Sequence, residues 1–282
     1  MTLVVRLRAL ALGILLLAGL TGRASADEIA PELAGQQLRQ KAESELRRLV
    51  AHLDPKDQRR LAGVYVAFAP DASDPSAQAA CDDDGDYVVV VNDAMLRLVD
   101  AVARAQSYDD ANGSRKVEDY ATFLARSQLP GRRLLPPPPG FFVAERAADT
   151  ADERLREALA FVLARELVHM RAGDLVCPKP TATREHGDDV WTPQEQRKAE
   201  ETARNLYPGR AAERDHEATV RVLDAGRGVG GAQALLRLFV QVEVERTVHA
   251  SRFAPTFLAL HPSASTRLAA VRVSAESHGQ DD

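Results

Sequence analysis

Ala158-Leu159-Ala160-Phe161-Val162-Leu163-Ala164-Arg165-Glu166-Leu167-Val168-His169 is the stretch that decides how this chain folds. Its first seven residues are apolar on every side of a helix, so this helix is packed within the protein instead of lying on its surface. Thr150-Ala151-Asp152-Glu153 upstream fits a capping box, with the Thr150 hydroxyl at the N-cap and Glu153 returning to its amide, while Gly173 supplies the stop. The expected helix therefore covers 151–172. Directly after the apolar run come Arg165, Glu166 and, one turn beyond, His169. Residues four apart share a helix face, so two histidines in the pattern H-E-x-x-H grip one zinc ion while the glutamate between them activates its water. Here the first histidine position holds Arg165.

Outward from this helix, the chain reads as α+β, mostly helical, with a small sheet around a central helix. Residues 31–53 repeat apolar positions at helical spacing (Leu33, Leu38, Ala42, Leu46, Leu49, Val50). Gly63 to Phe68 and Tyr87 to Val91 are rich in β-branched and aromatic residues and read as strands. Further helical patterns cover about 93–105, 116–128, 193–206, 209–225, 231–248 and 263–275. Between them, residues 129–149 carry Pro130-Gly131, the run Pro136 to Pro139, and Gly140, which cannot continue a helix. They read as a surface loop, a stiff spacer or lid inserted in the domain. Gly226-Arg227-Gly228-Val229-Gly230-Gly231 fits G-x-G-x-x-G, but it follows a helical pattern and not a strand, so it reads as a helix stop and turn. The acidic turn Asp82 to Asp86 lacks the distal glutamate of a calcium loop.

Met1 to Ala26 has the three parts of an export signal: Arg6 and Arg8, an apolar run from Ala9 to Leu20, and the small-residue site Ala24-Ser25-Ala26. Cleavage after Ala26 leaves residues 27–282 in the periplasm or outside the cell; an uncleaved anchor is the alternative and the only route to a membrane. Removing Arg6, Arg8 and Arg23 from the 36 basic residues leaves 33 against 41 acidic ones, a net charge of -8. That balance argues against nucleic acid as a partner. The two cysteines, Cys81 and Cys177, both lie in the exported part, where a disulfide survives; two buried thiols that never meet are the other reading.

Downstream of the central helix, Glu213-Arg214-Asp215-His216-Glu217 opens a later helix, and His261-Pro262-Ser263-Ala264-Ser265-Thr266-Arg267 follows. The order R/H-E-x-x-H, E-x-x-x-D/E, H-P-x-x-x-x-R resembles the HtpX-like zinc metallopeptidases, a family that includes the CAAX prenyl endopeptidases, over most of residues 60–275. The segment Ala77 to Leu96 is similar to the family's stretch before its catalytic helix. The resemblance implies a zincin-like domain acting on polypeptide, with one zinc ion. It places Glu166 as general base, His169, Glu213 and His261 as metal ligands, Glu217 as an acidic partner one turn on, and Arg267 where it holds a loop or a substrate oxygen. Glu217 is the alternative to Glu213 as ligand. This chain departs from the pattern at Arg165 and at His216-Glu217.

An arginine following seven apolar residues needs counter-charges, since an unpaired buried charge is very unfavourable, and its guanidinium has no lone pair for a metal. Two hypotheses follow. In one, Arg165 stands where zinc would sit, bridging Glu166 and Glu213, and the protein binds extended polypeptide without cutting it, by adding it to the sheet along the strand Tyr87 to Val91. In the other, His169, Glu213 and His261, with His216 in support, still hold zinc around Glu166 and the protein is a metalloendopeptidase. A helical envelope protein with accidental motif matches is a third reading.

Overall fold

The structure, a computed structural model, describes residues 26–82, 84–142, 148–177, 211–249, 253 and 263–279. The chain divides after Gln36: the first unit includes the opening turns of helix α1, and the second, from Gln37 onward, holds the features discussed below. It is α+β. Eight helices, α1 (Ala26–Ala51), α2 (Pro55–Arg60), α3 (Asp93–Asn112), α4 (Lys116–Ser127), α5 (Ala148–Ala172), α6 (Ala211–Asp224), α7 (Gly230–His249) and α8 (Ala264–His278), accompany three strands among the described residues.

The strands are β1 (Tyr65–Ala69), β2 (Ala77–Cys81) and β3 (Tyr87–Asn92), in the order β1-β3-β2. β1 runs parallel to β3 with Tyr65 opposite Val88, and β2 antiparallel with Ala79 opposite Val89. Val88, Val89 and Val91 are buried, so the most β-branched strand takes the middle of the sheet. This corrects the expectation that Tyr87 to Val91 edges a groove: β3 is paired on both sides, and only β1 and β2 offer an edge. Asn92 then ends β3 and starts α3, its side chain accepting a hydrogen bond from the Met95 amide at 2.9 Å.

α5 sits in the core, packed against α3, α6, α7 and the β2 side of the sheet. Every side chain from Ala158 to Ala164 is buried, as a helix apolar all round must be. Its start differs from expectation. The helix begins at Ala148, so Thr150 lies inside its first turn, and the Thr150 hydroxyl pairs with the Ser107 hydroxyl of α3 instead of capping. Gly173, at φ 77°, ends the helix as read.

The glycine-rich stretch has a packing reason. Gly226, at φ 69°, ends α6. A Cβ on Gly231 would lie 2.0 Å from the Arg154 carbonyl oxygen and 2.8 Å from the Ala158 nitrogen, so the first turn of α7 abuts the α5 backbone itself. Glu157, buried, accepts the Gly231 amide at 2.7 Å and pairs with Arg154 at 3.0 Å. A carboxylate thus serves the open amide end of α7.

The proline-rich loop stays outside the helices and is fastened at its beginning. Leu134 is buried, its amide donates to the Ala72 carbonyl at 2.6 Å, and the Tyr120 hydroxyl donates to the Leu135 carbonyl at 2.7 Å. Residues 143–147, the export signal and the expected helix 193–206 lie outside the described residues. Among the described residues no helix is long and apolar enough to cross a membrane.

Candidate functional site

Three helices bring their charged residues to one buried point. On α6, Ala211, Ala218 and Val222 are buried, and a helix of 3.6 residues per turn sets Asp215 on the same stripe. Asp215 is fully buried, whereas Glu213, two positions and about 200° away around the helix, is exposed. On α8, Ala264, Leu268 and Val271 are buried, and Arg267 lies on their stripe, also fully buried. α5 contributes Arg165, 1% exposed, and Glu166, 6% exposed.

Asp215 is gripped from both sides. Arg165 Nε lies 2.7 Å from Asp215 Oδ1, and Arg267 donates from Nε to Oδ2 at 2.6 Å and from a terminal nitrogen to Oδ1 at 3.1 Å. Arg165 thus pairs with Asp215, a partner the sequence reading, which named Glu166 and Glu213, did not include. Arg267, expected to hold a loop or a substrate oxygen, makes a two-pronged grip on the same aspartate. Burial, and then the neighbouring charge of Arg165, push the Arg267 guanidinium down to about 10, while Asp215 and Glu166 pull the other way. It stays protonated at neutral pH.

Glu166 faces the sheet. The flanking ladder bonds, Asn92 amide to Ser76 carbonyl and Asp82 amide to Asp86 carbonyl, set the even-numbered residues of β2 toward β3. Ala79 therefore turns its amide to the outer edge, where Glu166 Oε2 accepts it at 2.8 Å. The end of the same strand is tied down: Cys81 and Cys177 form a disulfide, with Cα atoms 5.5 Å apart. Closing a loop with ends 96 positions apart removes about 4–5 kcal/mol of chain entropy from the unfolded state in the loop-closure account. The bridge fixes β2 beside the segment that follows α5.

His169, one turn past Glu166, has Nδ1 2.9 Å from Asp174 Oδ2. Arg214 approaches the same carboxylate with two nitrogens, at 3.1 and 3.2 Å. Glu217 pairs with Arg171 and, at 3.7 Å, with Arg214. His216 is exposed, with Nδ1 2.6 Å from the Ser274 hydroxyl. His261 lies outside the described residues.

Arg165 has no lone pair to give. Glu213 is exposed, and Glu217 is engaged by two arginines. Among the described residues no three His, Cys, Asp or Glu side chains are grouped to hold a metal. What the arrangement does offer is a buried polar cluster of two guanidiniums and two carboxyl groups at the position where α5, α6, α8 and β2 converge.

The sequence held the signal for Asp215. Counting the small and apolar positions of α6 puts Asp215 inward and Glu213 outward. Comparison of the chain with protein-family models, with curated proteins and with solved structures returned no match.

Proposed function

We propose that this chain is an exported, polypeptide-binding protein built on a zinc-metallopeptidase-type domain of HtpX-like resemblance, in which a salt-bridged arginine has taken the place of the metal. The observation that carries the reading is Asp215 held between Arg165 and Arg267, all three buried, at the motif position where the resemblance puts a metal-binding histidine. A fixed cation there neutralises the carboxylate and keeps the three helices together without a bound ion. It also leaves no activated water for hydrolysis, since zinc acts by binding and acidifying water. The Cys81–Cys177 disulfide supports an oxidising compartment, in line with the export signal read at Met1 to Ala26.

One observation favours the catalytic alternative. The Asp174 carboxylate orients His169 through Nδ1, as outer-sphere carboxylates orient zinc-bound histidines. In that version Glu166 is the base, and His169 and His261 contribute ligands.

A matched pair of proteins separates the two. The natural protein and Arg165→His are purified, incubated with zinc, dialysed, and assayed for bound metal and for casein cleavage. The proposal expects no zinc above background and no cleavage in the natural form, with metal uptake confined to the histidine variant. Cleavage by the natural form that disappears in Glu166→Gln refutes it and establishes a working peptidase.

A further inference from the structure

A three-stranded sheet has two edges, and they are unequally provided for. β3 is paired on both sides. The outer side of β2 is in use: Glu166 takes the Ala79 amide, α5 packs along the strand, and Cys81 is bonded to Cys177. The outer backbone groups of β1 make no hydrogen bond with any of the described residues. Natural edge strands are usually blunted by a charge, a proline or a bulge. Tyr65-Val66-Ala67-Phe68-Ala69 carries none of these until Pro70.

At the beginning of β1 the surface opens into a groove of about 350 Å³ between α1 and the turn after α2, walled by Leu46, Val50, Leu61 and Val64. Its single charged wall residue is Arg47, whose side chain is 73% exposed and has only a loose 3.8 Å pairing with Glu43. A row of amides and carbonyls that have no partner among the described residues, beginning beside an apolar recess with one cation at its lip, specifies its occupant chemically. The occupant is an extended chain, because only a strand matches the spacing of the row. It carries a large aliphatic side chain for the recess and a carboxylate beside it for Arg47.

We propose that the β1 edge and this groove form the docking site for an extended polypeptide segment with an aliphatic anchor next to an acidic residue. The inference rests on the polypeptide-binding reading and locates it on the edge of the sheet away from the buried Arg165–Asp215–Arg267 cluster. Main-chain pairing supplies attraction that is indifferent to sequence, and the groove supplies the preference.

The probe is a fluorescein-labelled ten-residue peptide of alternating threonine and valine with one leucine-aspartate step, tested by anisotropy against the full exported chain. Saturable binding is expected. Ala62→Glu, at an exposed position in the groove wall, is expected to weaken it by about tenfold or more, because a charge enters the apolar recess. N-methylating alternate peptide residues is expected to abolish binding in one phase and spare it in the other. Equal binding by both N-methylated series, or no effect of Ala62→Glu, overturns the proposal.

A photo-crosslinking residue placed at Ala62 or at Gln78 of β2 then separates the two levels of inference. Capture at Ala62 supports the docking site. Capture only at Gln78 overturns it and leaves polypeptide binding standing. Absence of capture and of binding for both this peptide and casein overturns both. Ala62-to-Ala62 adducts in a concentration-dependent dimer overturn it in favour of self-association.

Discussion

The two ends of α5 both bury charge, and they do so to different purposes. At its start Glu157 meets a half-exposed arginine and the amide end of α7, with Gly231 allowing the helices to touch backbone to backbone. That carboxylate satisfies donors which the fold itself creates, so it needs no function to explain it. Toward its other end Arg165 is buried against Asp215, which Arg267 already grips with two nitrogens. Two buried guanidiniums and two buried carboxyl groups, Asp215 and Glu166, are costly to hold even when their charges balance, and such a concentration of buried charge marks a place shaped by something besides packing.

The largest effect expected is at the second place. Asp215→Ala removes the carboxylate that two buried guanidiniums share and should lower stability by about 3–5 kcal/mol, read as a shift of the urea midpoint at unchanged slope. Replacing Arg165, Glu166, Asp215 and Arg267 together with apolar residues of similar volume should recover most of that loss, because exchanging a whole buried ionic cluster for an apolar one of equal size is often neutral or stabilising. A loss at Asp215→Ala no larger than that of Glu157→Gln would erase the contrast.

A smaller loss is expected at the start of α5. Gly231→Ala forces a methyl group against the Arg154 carbonyl oxygen and should cost about 2–3 kcal/mol as α7 moves off α5. Ligand-independent stability is the readout, with peptide binding at the β1 edge unchanged.

The smallest effect belongs to Asp152, half-exposed near the start of α5 and bonded to Lys41 and Arg156. Its hydrogen bond with Lys41, then that with Arg156, hold its carboxyl below the ordinary 3.8. A depressed acid contributes stability that is fully present above 3.8 and is lost as pH falls through its lower folded value. Asp152→Asn should therefore cost no more than about 1 kcal/mol at pH 7, allowing for solvent screening. Thermal unfolding followed across pH 2–7 should show the two curves merging at the acid end.

Much of the path to this contrast was legible in the chain. The apolar run Ala158 to Ala164 announced a buried helix because no face of it is polar, and Arg165 announced a need for a counter-charge because it follows that run. The valine-rich strand and the helices around it read out through their periodicity. β2 did not. Ala77-Gln78-Ala79-Ala80-Cys81 has weak strand preference, and only pairing with β3 makes it one. α2, six residues and largely charged, offers no periodicity and is set by the Asp54 cap and Pro55.

By itself, then, the sequence determined the helical framework, the burial of α5 and the presence of an arginine where the motif wants a histidine, since these follow from local periodicity and from the chemistry of one side chain. The tertiary structure alone decided that Asp215 answers Arg165, that Glu166 gives an oxygen to Ala79, that the two cysteines meet, and that β1 is the edge without a partner among the described residues. Each of these joins residues dozens of positions apart, and whether such groups touch depends on how helices rotate and strands order themselves in the packed core, which no local pattern encodes.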